Sequence, residues 1–179
     1  MLIRGYMATS LDGYIADKDG GVGWLDAFQG VEVGEAAFMA GIGTVIVGRT
    51  TFDQMLGFPG GWAFPGKHGI VVTSHAIADP PDGVEIWSQG VKSLIARLRA
   101  DPDANAGWVV GGASLQAAFI AAGAIDTLDV FVIPVLLGDG VRMFPEGMPQ
   151  RRLALTSAEA LGLGMVRLSY RIPAGKTAN

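Results

Sequence analysis

The segment Trp108–Leu115, WVVGGASL, places the glycine pair Gly111 and Gly112 between an apolar strand and the start of a helix. The first amides of a helix have no partner within the helix, and the helix dipole adds positive charge at that end. Because glycine lets a ligand approach the backbone closely, the pattern is typical of a turn that binds a pyrophosphate. A tight turn that only connects strand and helix is the alternative interpretation.

A second strand end with suitable residues lies within Val45–Met55. There an apolar strand reaches Gly48, and a helix then opens with Arg49, Thr50 and Thr51. A threonine hydroxyl can cap a helix or bind a phosphate, and a guanidinium can form paired hydrogen bonds with one. The alternative is a capped helix with a solvent-exposed arginine.

A third strand end, Val71–His75, offers the hydroxyls of Thr73 and Ser74, although ordinary turn residues would look the same. Ligands of α/β sheets bind beyond the carboxyl ends of the strands. A dinucleotide has several phosphate regions and needs more than one such end. The chain has no G-x-G-x-x-G signature, so we predict phosphate contacts distributed over the three strand ends.

The segment Ala8–Ala16, ATSLDGYIA, ends a strand at a small residue and turns the chain at Asp12 and Gly13. The small side chain of Ala8 would let a flat ring lie against the backbone. Asp12 is a candidate for a contact with substrate, and a structural role in the turn is the alternative.

Short apolar, β-branched runs alternate with amphipathic helical patterns along the chain. The predicted strands are residues 2–8, Thr44–Val47, Gly69–Thr73, Val84–Trp87, Trp108–Val110, Leu128–Ile133, Arg152–Ala160 and Met165–Ile172. Several are apolar on both faces, as in a sheet that helices cover on both sides. Helical spacing is found near Thr51, from Val91 to Leu98 and from Leu115 to Ala122, and a fourth helix is expected to carry Glu32, Glu35 and Phe38.

The last two predicted strands are joined by the glycine-rich turn Leu161–Gly164 without a helix, which predicts an antiparallel hairpin at the sheet edge. The whole pattern predicts an α/β fold with about eight strands in a mostly parallel sheet, helices on both faces and this C-terminal antiparallel hairpin. Residues 1–179 contain no linker or internal repeat, so we expect a single domain with a frayed tail after Pro173.

The composition argues against several other classes of protein. The net charge is −4 and the basic residues are scattered, unlike the basic face of a nucleic-acid binder. The chain has no cysteine and two histidines, which argues against a structural metal site. Its start lacks the pattern of a signal peptide, and no apolar run approaches the ~20 residues of a membrane helix. A cytoplasmic protein is therefore expected.

Six motifs taken together resemble the dihydrofolate-reductase-like superfamily. They are SLDGYIA, GVGWL, VIVGRTTF, VVTS, WVVGGASL and PVLLGDGVRMFPEG. The chain is most similar to the C-terminal reductase domain of the bifunctional riboflavin-biosynthesis deaminase-reductase, over nearly its whole length. This resemblance implies a reductase with NADPH as the hydride donor, a small-molecule substrate and a homodimeric assembly.

The resemblance also assigns a role to each matching position. Ala8 and Ile15 correspond to residues that flank the nicotinamide. The adenosine-side phosphates are assigned to Gly48, Arg49, Thr50 and Thr51, the ribose and its 2′-phosphate to Thr73 and Ser74, and the pyrophosphate turn to Gly111, Gly112, Ala113, Ser114 and Leu115. The substrate is expected between the loop of Asp12, Trp24 and the helix that carries Phe38.

The implied reaction is hydride transfer from NADPH to a C=N or C=O bond of a small pyrimidine-like or pterin-like heterocycle. Riboflavin-pathway reductases carry a serine and an arginine near the tryptophan motif to bind a ribose phosphate, whereas Val22–Glu35 contains no Arg or Lys. Asp12, Glu32 and Glu35 are candidates for the catalytic acid, which stays unassigned. The alternatives are a dihydrofolate reductase and a non-catalytic NADPH-binding protein.

Overall fold

The computed structural model describes residues 1–101 and 104–173, and this part of the chain contains ten strands. They are β1 Ile3–Ser10, β2 Tyr14–Ala16, β3 Ile42–Gly48, β4 His68–Val72, β5 Val84–Trp87, β6 Ala106–Gly111, β7 Thr127–Ile133, β8 Val141–Arg142, β9 Ala154–Ala160 and β10 Val166–Arg171. Eight of them form one sheet in the order β5-β4-β3-β6-β1-β7-β10-β9, and β2 pairs with β8 in a separate ribbon.

The sheet is parallel from β5 to β7 and antiparallel at its last two strands. All eight strands expected from the sequence are present, with ends that differ by at most two residues. β9 and β10 form the predicted hairpin, and β9 is the edge strand. The α/β fold with a mostly parallel sheet and a C-terminal hairpin is thus confirmed; the part of the predicted frayed tail from residue 174 onward lies outside the described residues.

Helices pack on both faces of the sheet. They are α1 Glu35–Ala40, α2 Arg49–Gly57, α3 Val91–Arg99 and α4 Ala113–Ala121, with 3-10 turns at Gly23–Phe28 and Gly162–Gly164. Leu94 of α3 and Phe119 of α4 are buried with Ile46 on one face. Phe52 of α2 is buried with Val45 on the other. Neighbouring residues of β3 thus serve opposite cores, which explains why its sequence is apolar on both faces.

Three local features differ from the sequence expectations. The ribbon of β2 and β8 was not predicted, because strands of three and two residues carry no measurable periodicity. β1 continues to Ser10. The helix expected to carry Glu32 begins only at Glu35, because Gly34 has a positive φ of 75° and forms the N-cap.

No helix among the described residues is long and apolar enough to cross a membrane. The same residues contain no group of three or more His, Asp or Glu side chains that could hold a metal ion.

The carboxylate of Asp12 joins the turn after β1 to the loop after β7. It accepts hydrogen bonds from the Ser10 hydroxyl at 2.6 Å and from the backbone amides of Leu137 and Gly138 at 3.1 and 2.7 Å. The hydrogen bond from Ser10, followed by those from the two amides, lowers the pKa of Asp12 to about 2. The structure therefore gives Asp12 a role in holding two loops together.

This network predicts a pH-dependent effect of Asp12→Asn on stability. Because the pKa of Asp12 is lower in the folded chain than the ~3.9 of an unfolded aspartate, its contribution is present above about pH 4 and lost as the pH falls toward 2. The difference in Tm between parent and variant should be constant from pH 5 to 8 and shrink below pH 4. Thermal unfolding followed by circular dichroism measures it, with exposed Asp82→Asn as the control. A difference that grows on acidification would contradict the network.

Candidate functional site

A cleft of about 490 Å³ opens at the carboxyl ends of β3 and β6, where α2 and α4 begin. The two strands are parallel neighbours, and Val47 of β3 pairs with Gly111 of β6. This register places Gly48 against the start of α4, so that a Cβ built on Gly48 would lie 3.5 Å from the amide nitrogen of Gly112. The N-termini of two helices therefore meet in one cleft.

Both helix ends are free to bind an anion. The N-caps, Gly48 of α2 and Gly112 of α4, offer no side-chain hydrogen bond to the first amides. Neither helix has an acidic residue in its first turn. The first amides of each nine-residue helix thus lack the usual cap, and the dipoles of both helices concentrate positive charge in the cleft.

The glycine pair at the end of β6 gives a ligand access to these amides. Gly111 has a φ of 147°, which a residue with a side chain rarely adopts. Gly112 has an ordinary φ of −72°, but a Cβ there would point at the Thr51 hydroxyl, 3.4 Å away. A larger side chain at position 112 would therefore fill the space between the two helix ends.

Arg49 links the start of α2 to the loop after β4. Its Nε donates to both carboxylate oxygens of Asp53, at 2.9 and 2.8 Å, and its Nη1 donates to the carbonyl of Ala76 at 3.3 Å. The pair with Asp53 leaves the guanidinium partly exposed, at 40%. Arg49 is thus held at the rim of the cleft, over the loop that carries Ser74.

Thr73 and Ser74 lie just beyond the cleft. Val72, the last residue of β4, lines it. Thr73 is buried, and its hydroxyl accepts a hydrogen bond from the backbone amide of His75 at 3.1 Å. This bond stabilises the turn after β4. The Ser74 hydroxyl and the His75 ring are exposed and lie 3.4 Å apart. These two exposed groups extend the rim that Arg49 begins.

Most residues predicted to bind a cofactor come together in this cleft. The predicted residues that line it are Ile15, Gly48, Arg49, Thr50, Thr51, Gly112, Ala113, Ser114 and Leu115. Gly111 and Thr73 are next in sequence to lining residues, and Ser74 follows Thr73, but none of the three lines the cleft. Ala8 does not line it and packs in a separate cluster with Phe131. The cleft is also lined by residues that the sequence analysis missed, namely Ala16, Gly20, Gln54, Val72, Val91, Ala118 and Val141. Helical spacing from Thr50 and Leu115 would have found Gln54 and Ala118.

Ile15 and Ala16 of β2 line one part of the cleft, and Trp24 is not among its lining residues. Trp24 and Ala8 pack in one cluster with the buried Phe131. The indole Nε1 of Trp24 is buried without a hydrogen-bond partner among the described residues. A buried donor without a partner lowers the stability of the folded state, and a hydrogen bond to a bound molecule or an ordered water would restore it.

The three candidate acids lie in different surroundings. Asp12, with its pKa lowered to about 2, is ionised near neutral pH and cannot donate a proton there. The Glu32 carboxylate is exposed and accepts the Gly34 amide at 2.7 Å, so it supports the start of α1. Glu35 is exposed in the first turn of α1, a favourable place for an acid. None of the three lines the cleft.

Phe38, expected at the substrate, is in the core. It is only 5% exposed, stacks on Tyr6 at 4.2 Å and meets Trp108 edge-on at 5.3 Å. Burial, followed by the charge of Glu35, raises the pKa of Tyr6 to about 12. Its hydroxyl donates to the Val33 carbonyl at 3.0 Å. This aromatic cluster fixes the segment before α1 on the sheet.

Comparison with known proteins relates this geometry to a family. Residues 2–167 match the model of the RibD C-terminal domain. The uncharacterized protein YwjB of Bacillus subtilis (strain 168) is 34% identical over 166 residues, which cover 92% of this chain and 94% of YwjB. YyaP of the same organism, also uncharacterized, is 25% identical over 174 residues, or 92% of this chain and 91% of YyaP.

Solved structures agree with this relationship. A protein of Shewanella sp. PV-4, named provisionally for riboflavin biosynthesis, superposes with a TM-score of 0.84 and 28% identity, covering 97% of this chain and 99% of that one. The deaminase/reductase of Thermotoga maritima gives 0.70 at 20% identity, with 96% of this chain on 56% of that protein. Dihydrofolate reductase of Enterococcus faecalis gives 0.66 at 21%, with 96% of each chain covered. The chain therefore belongs to the RibD C-terminal domain family and has a dihydrofolate-reductase-like fold, as its motifs predicted.

Proposed function

We propose that this protein is an NADPH-dependent reductase that transfers a hydride to a C=N or C=O bond of a small heterocycle. The proposal rests on one observation: the N-termini of α2 and α4 lie side by side, where Gly48 and Gly112 approach each other. Neither helix has a side-chain cap or an acidic residue in its first turn. A pyrophosphate suits this arrangement of amides. The dihydrofolate reductase of similar fold is described as a complex with NADP(H), which supports the same cofactor class here.

The residues present fit an extended dinucleotide. The pyrophosphate would lie on the amides that begin α2 and α4, next to Thr51 and Ser114. The adenosine would extend along Val72 and Val91 toward Arg49. The nicotinamide end would reach Ile15 and Ala16, at the side of the cleft near the turn that Asp12 holds.

In the reaction, a bound NADPH supplies the hydride, and the chain supplies position and electrostatics. The helix ends would hold the phosphates and so position the reactive ring toward Ile15 and Ala16. Ala8, in the cluster with Trp24, would leave room for a flat ring because its side chain is a single methyl group. Ile15, on β2, would offer an apolar contact to the ring.

Dihydrofolate reductase is the second candidate. Asp26 follows Trp24 by two residues, on the 3-10 turn Gly23–Phe28, and lines a neighbouring cleft. Glu32 and Glu35, the candidate acids expected on the next helix, line neither cleft. NADPH oxidation with dihydrofolate would favour this candidate, and binding without turnover of any heterocycle would favour a non-catalytic protein.

The glycine at position 112 is predicted to be essential for cofactor binding. Gly112→Val should leave the protein folded, because the φ of −72° suits any residue, but the branched side chain should block the backbone from the phosphate. We expect at least a roughly tenfold loss of NADPH affinity, the equivalent of one charged hydrogen bond. Quenching of tryptophan fluorescence measures the affinity and circular dichroism the fold.

The matched control is Gly41→Val, at an exposed glycine with a similar φ of −86° outside the cleft. It should bind NADPH like the parent. Unchanged affinity in a folded Gly112→Val variant would show that the glycine turn is only a connector.

Arg49 is predicted to select NADPH over NADH. Arg49→Ala should weaken NADPH binding about 10- to 150-fold, because a charge-assisted hydrogen bond to the 2′-phosphate is worth roughly 1.5–3 kcal/mol. NADH, which lacks this phosphate, should bind almost as before. The loss should be smaller at high salt, since the guanidinium is partly exposed.

Dissociation constants for both cofactors test this role. Arg97→Ala is the control, because Arg97 is also paired with a carboxylate, that of Glu85, but lies outside the cleft. Equal losses for NADPH and NADH on removal of Arg49 would assign it to the shared pyrophosphate instead.

A further inference from the structure

A second cleft, of about 570 Å³, continues from the first along the outer side of α2. The two clefts share Gly20, Thr51 and Gln54. One wall is the loop from Asp19 to Gly23 with Asp26 of the following 3-10 turn, and the other is the C-terminal half of α2 with Phe58. The Gln54 side chain donates to the Gly20 carbonyl at 3.0 Å and so ties the two walls together where the clefts join.

The charges that line this second cleft are all negative. Two carboxylates, Asp19 and Asp26, are among its lining residues, and no Lys or Arg is. Asp19 is paired with Lys18 at 2.7 Å. Asp26 accepts a hydrogen bond from the uncharged amide of Gln29 at 2.9 Å and forms no salt bridge with a cation among the described residues. Asp26 is therefore the main source of negative potential.

The helix α2 adds to this potential through its orientation. Its N-terminus faces the first cleft, while Gly57 at its C-terminus and Phe58 line the second. The last turn has no basic residue, and the C-terminal end of a helix carries partial negative charge. One helix thus presents a positive end to the proposed cofactor and a negative end to the second cleft.

Lys18 lies beside the lining through its pair with Asp19, and two other cations are held elsewhere. The guanidinium carbon of Arg142, on β8, lies 5.3 Å from the centroid of the Tyr14 ring, and Arg142 does not line the second cleft. Lys67 donates to the carbonyls of Met39 and Ile42. An anionic group in the second cleft would therefore meet Asp26 without a neutralising side chain from the lining.

We propose that the second cleft binds the substrate and selects a neutral or cationic heterocycle over one that carries a phosphate. This inference rests on the proposed reductase function. The apolar side chains of Val22, Met55 and Phe58 suit a flat ring, and the amide of Gln54 offers it a polar contact. The same negative potential would repel the phosphate of the phosphoribosyl group that the riboflavin-pathway pyrimidine carries.

The charge of the cleft can be measured without knowledge of the substrate. The chain has no cysteine, so Phe58→Cys places a single thiol in the cleft. Its rates of reaction with a cationic and an anionic methanethiosulfonate reagent of similar size report the local potential. We expect the cation/anion rate ratio at position 58 to exceed that of a remote reference thiol by about threefold at low salt. Adding Asp26→Asn should remove most of this excess.

Leu155→Cys, on the exposed edge strand β9, is the reference. Glu32→Gln, which removes an exposed carboxylate outside the cleft, should leave the ratio at position 58 unchanged. A ratio equal to the reference, or one insensitive to Asp26→Asn, would overturn the assignment of negative potential.

Substrate selection is tested with a matched pair of compounds. 5-Amino-6-(5-phosphoribosylamino)uracil and its dephosphorylated nucleoside differ only in the phosphate. With NADPH saturating, kcat/KM should be at least about tenfold higher for the nucleoside, and Asp26→Asn should narrow the gap. A preference for the phosphorylated compound would overturn the proposal.

If the proposed reductase function is wrong, the results differ from those expected if only the charge of the cleft is wrong. If NADPH binds but neither compound is reduced, the pyrimidine substrate of the proposed function is wrong, and the thiol measurement alone decides the charge of the cleft. If NADPH does not bind, the proposed function fails whatever the thiol ratio.

Discussion

The arrangement of this molecule depends on the convergence of backbone amides at the ends of β3 and β6. Neighbouring parallel strands end at the same edge of a sheet, and each of these two ends in glycine and enters a helix at once. The register of the pair brings Gly48 and Gly112 into near contact, which is possible because neither has a side chain. The starts of two helices without side-chain caps then meet beside one cleft, an arrangement that suits an anion.

The same constraint organises the charge around the site. The N-terminus of α2 lies at the first cleft and its C-terminus at the second, so its dipole adds positive charge to one and negative charge to the other. Arg49 lies at the N-terminal end, and the last turn has no basic residue. The hydrogen bond from Gln54 to Gly20 holds the glycine-rich loop where the two clefts join. The proposed cofactor and substrate regions would thus differ in charge preference because of one nine-residue helix.

Much of this could be predicted from the sequence, because the information is local. Strands such as β3 are apolar on both faces, and each strand–glycine–helix junction falls within a few consecutive residues. The parts that were missed depend on contacts between distant segments. The pairing of β2 with β8, the burial of Phe38 under Tyr6 and the place of Val91 in the cleft are set by tertiary packing. No pattern within a single segment predicts them.

The carboxylates show why the catalytic acid could not be assigned by motif. Asp12 lies in a motif shared with reductases. Three hydrogen bonds keep its carboxylate ionised and use it to connect the turn after β1 with the loop after β7. Glu32 was expected on a helix, but the helix starts later, and the carboxylate supports its first turn instead. The segment between Trp24 and α1 is a 3-10 turn followed by an extended stretch, so Asp26 is the carboxylate that reaches a cleft. The length and conformation of this segment, rather than residue type alone, decide which acid lines the cleft.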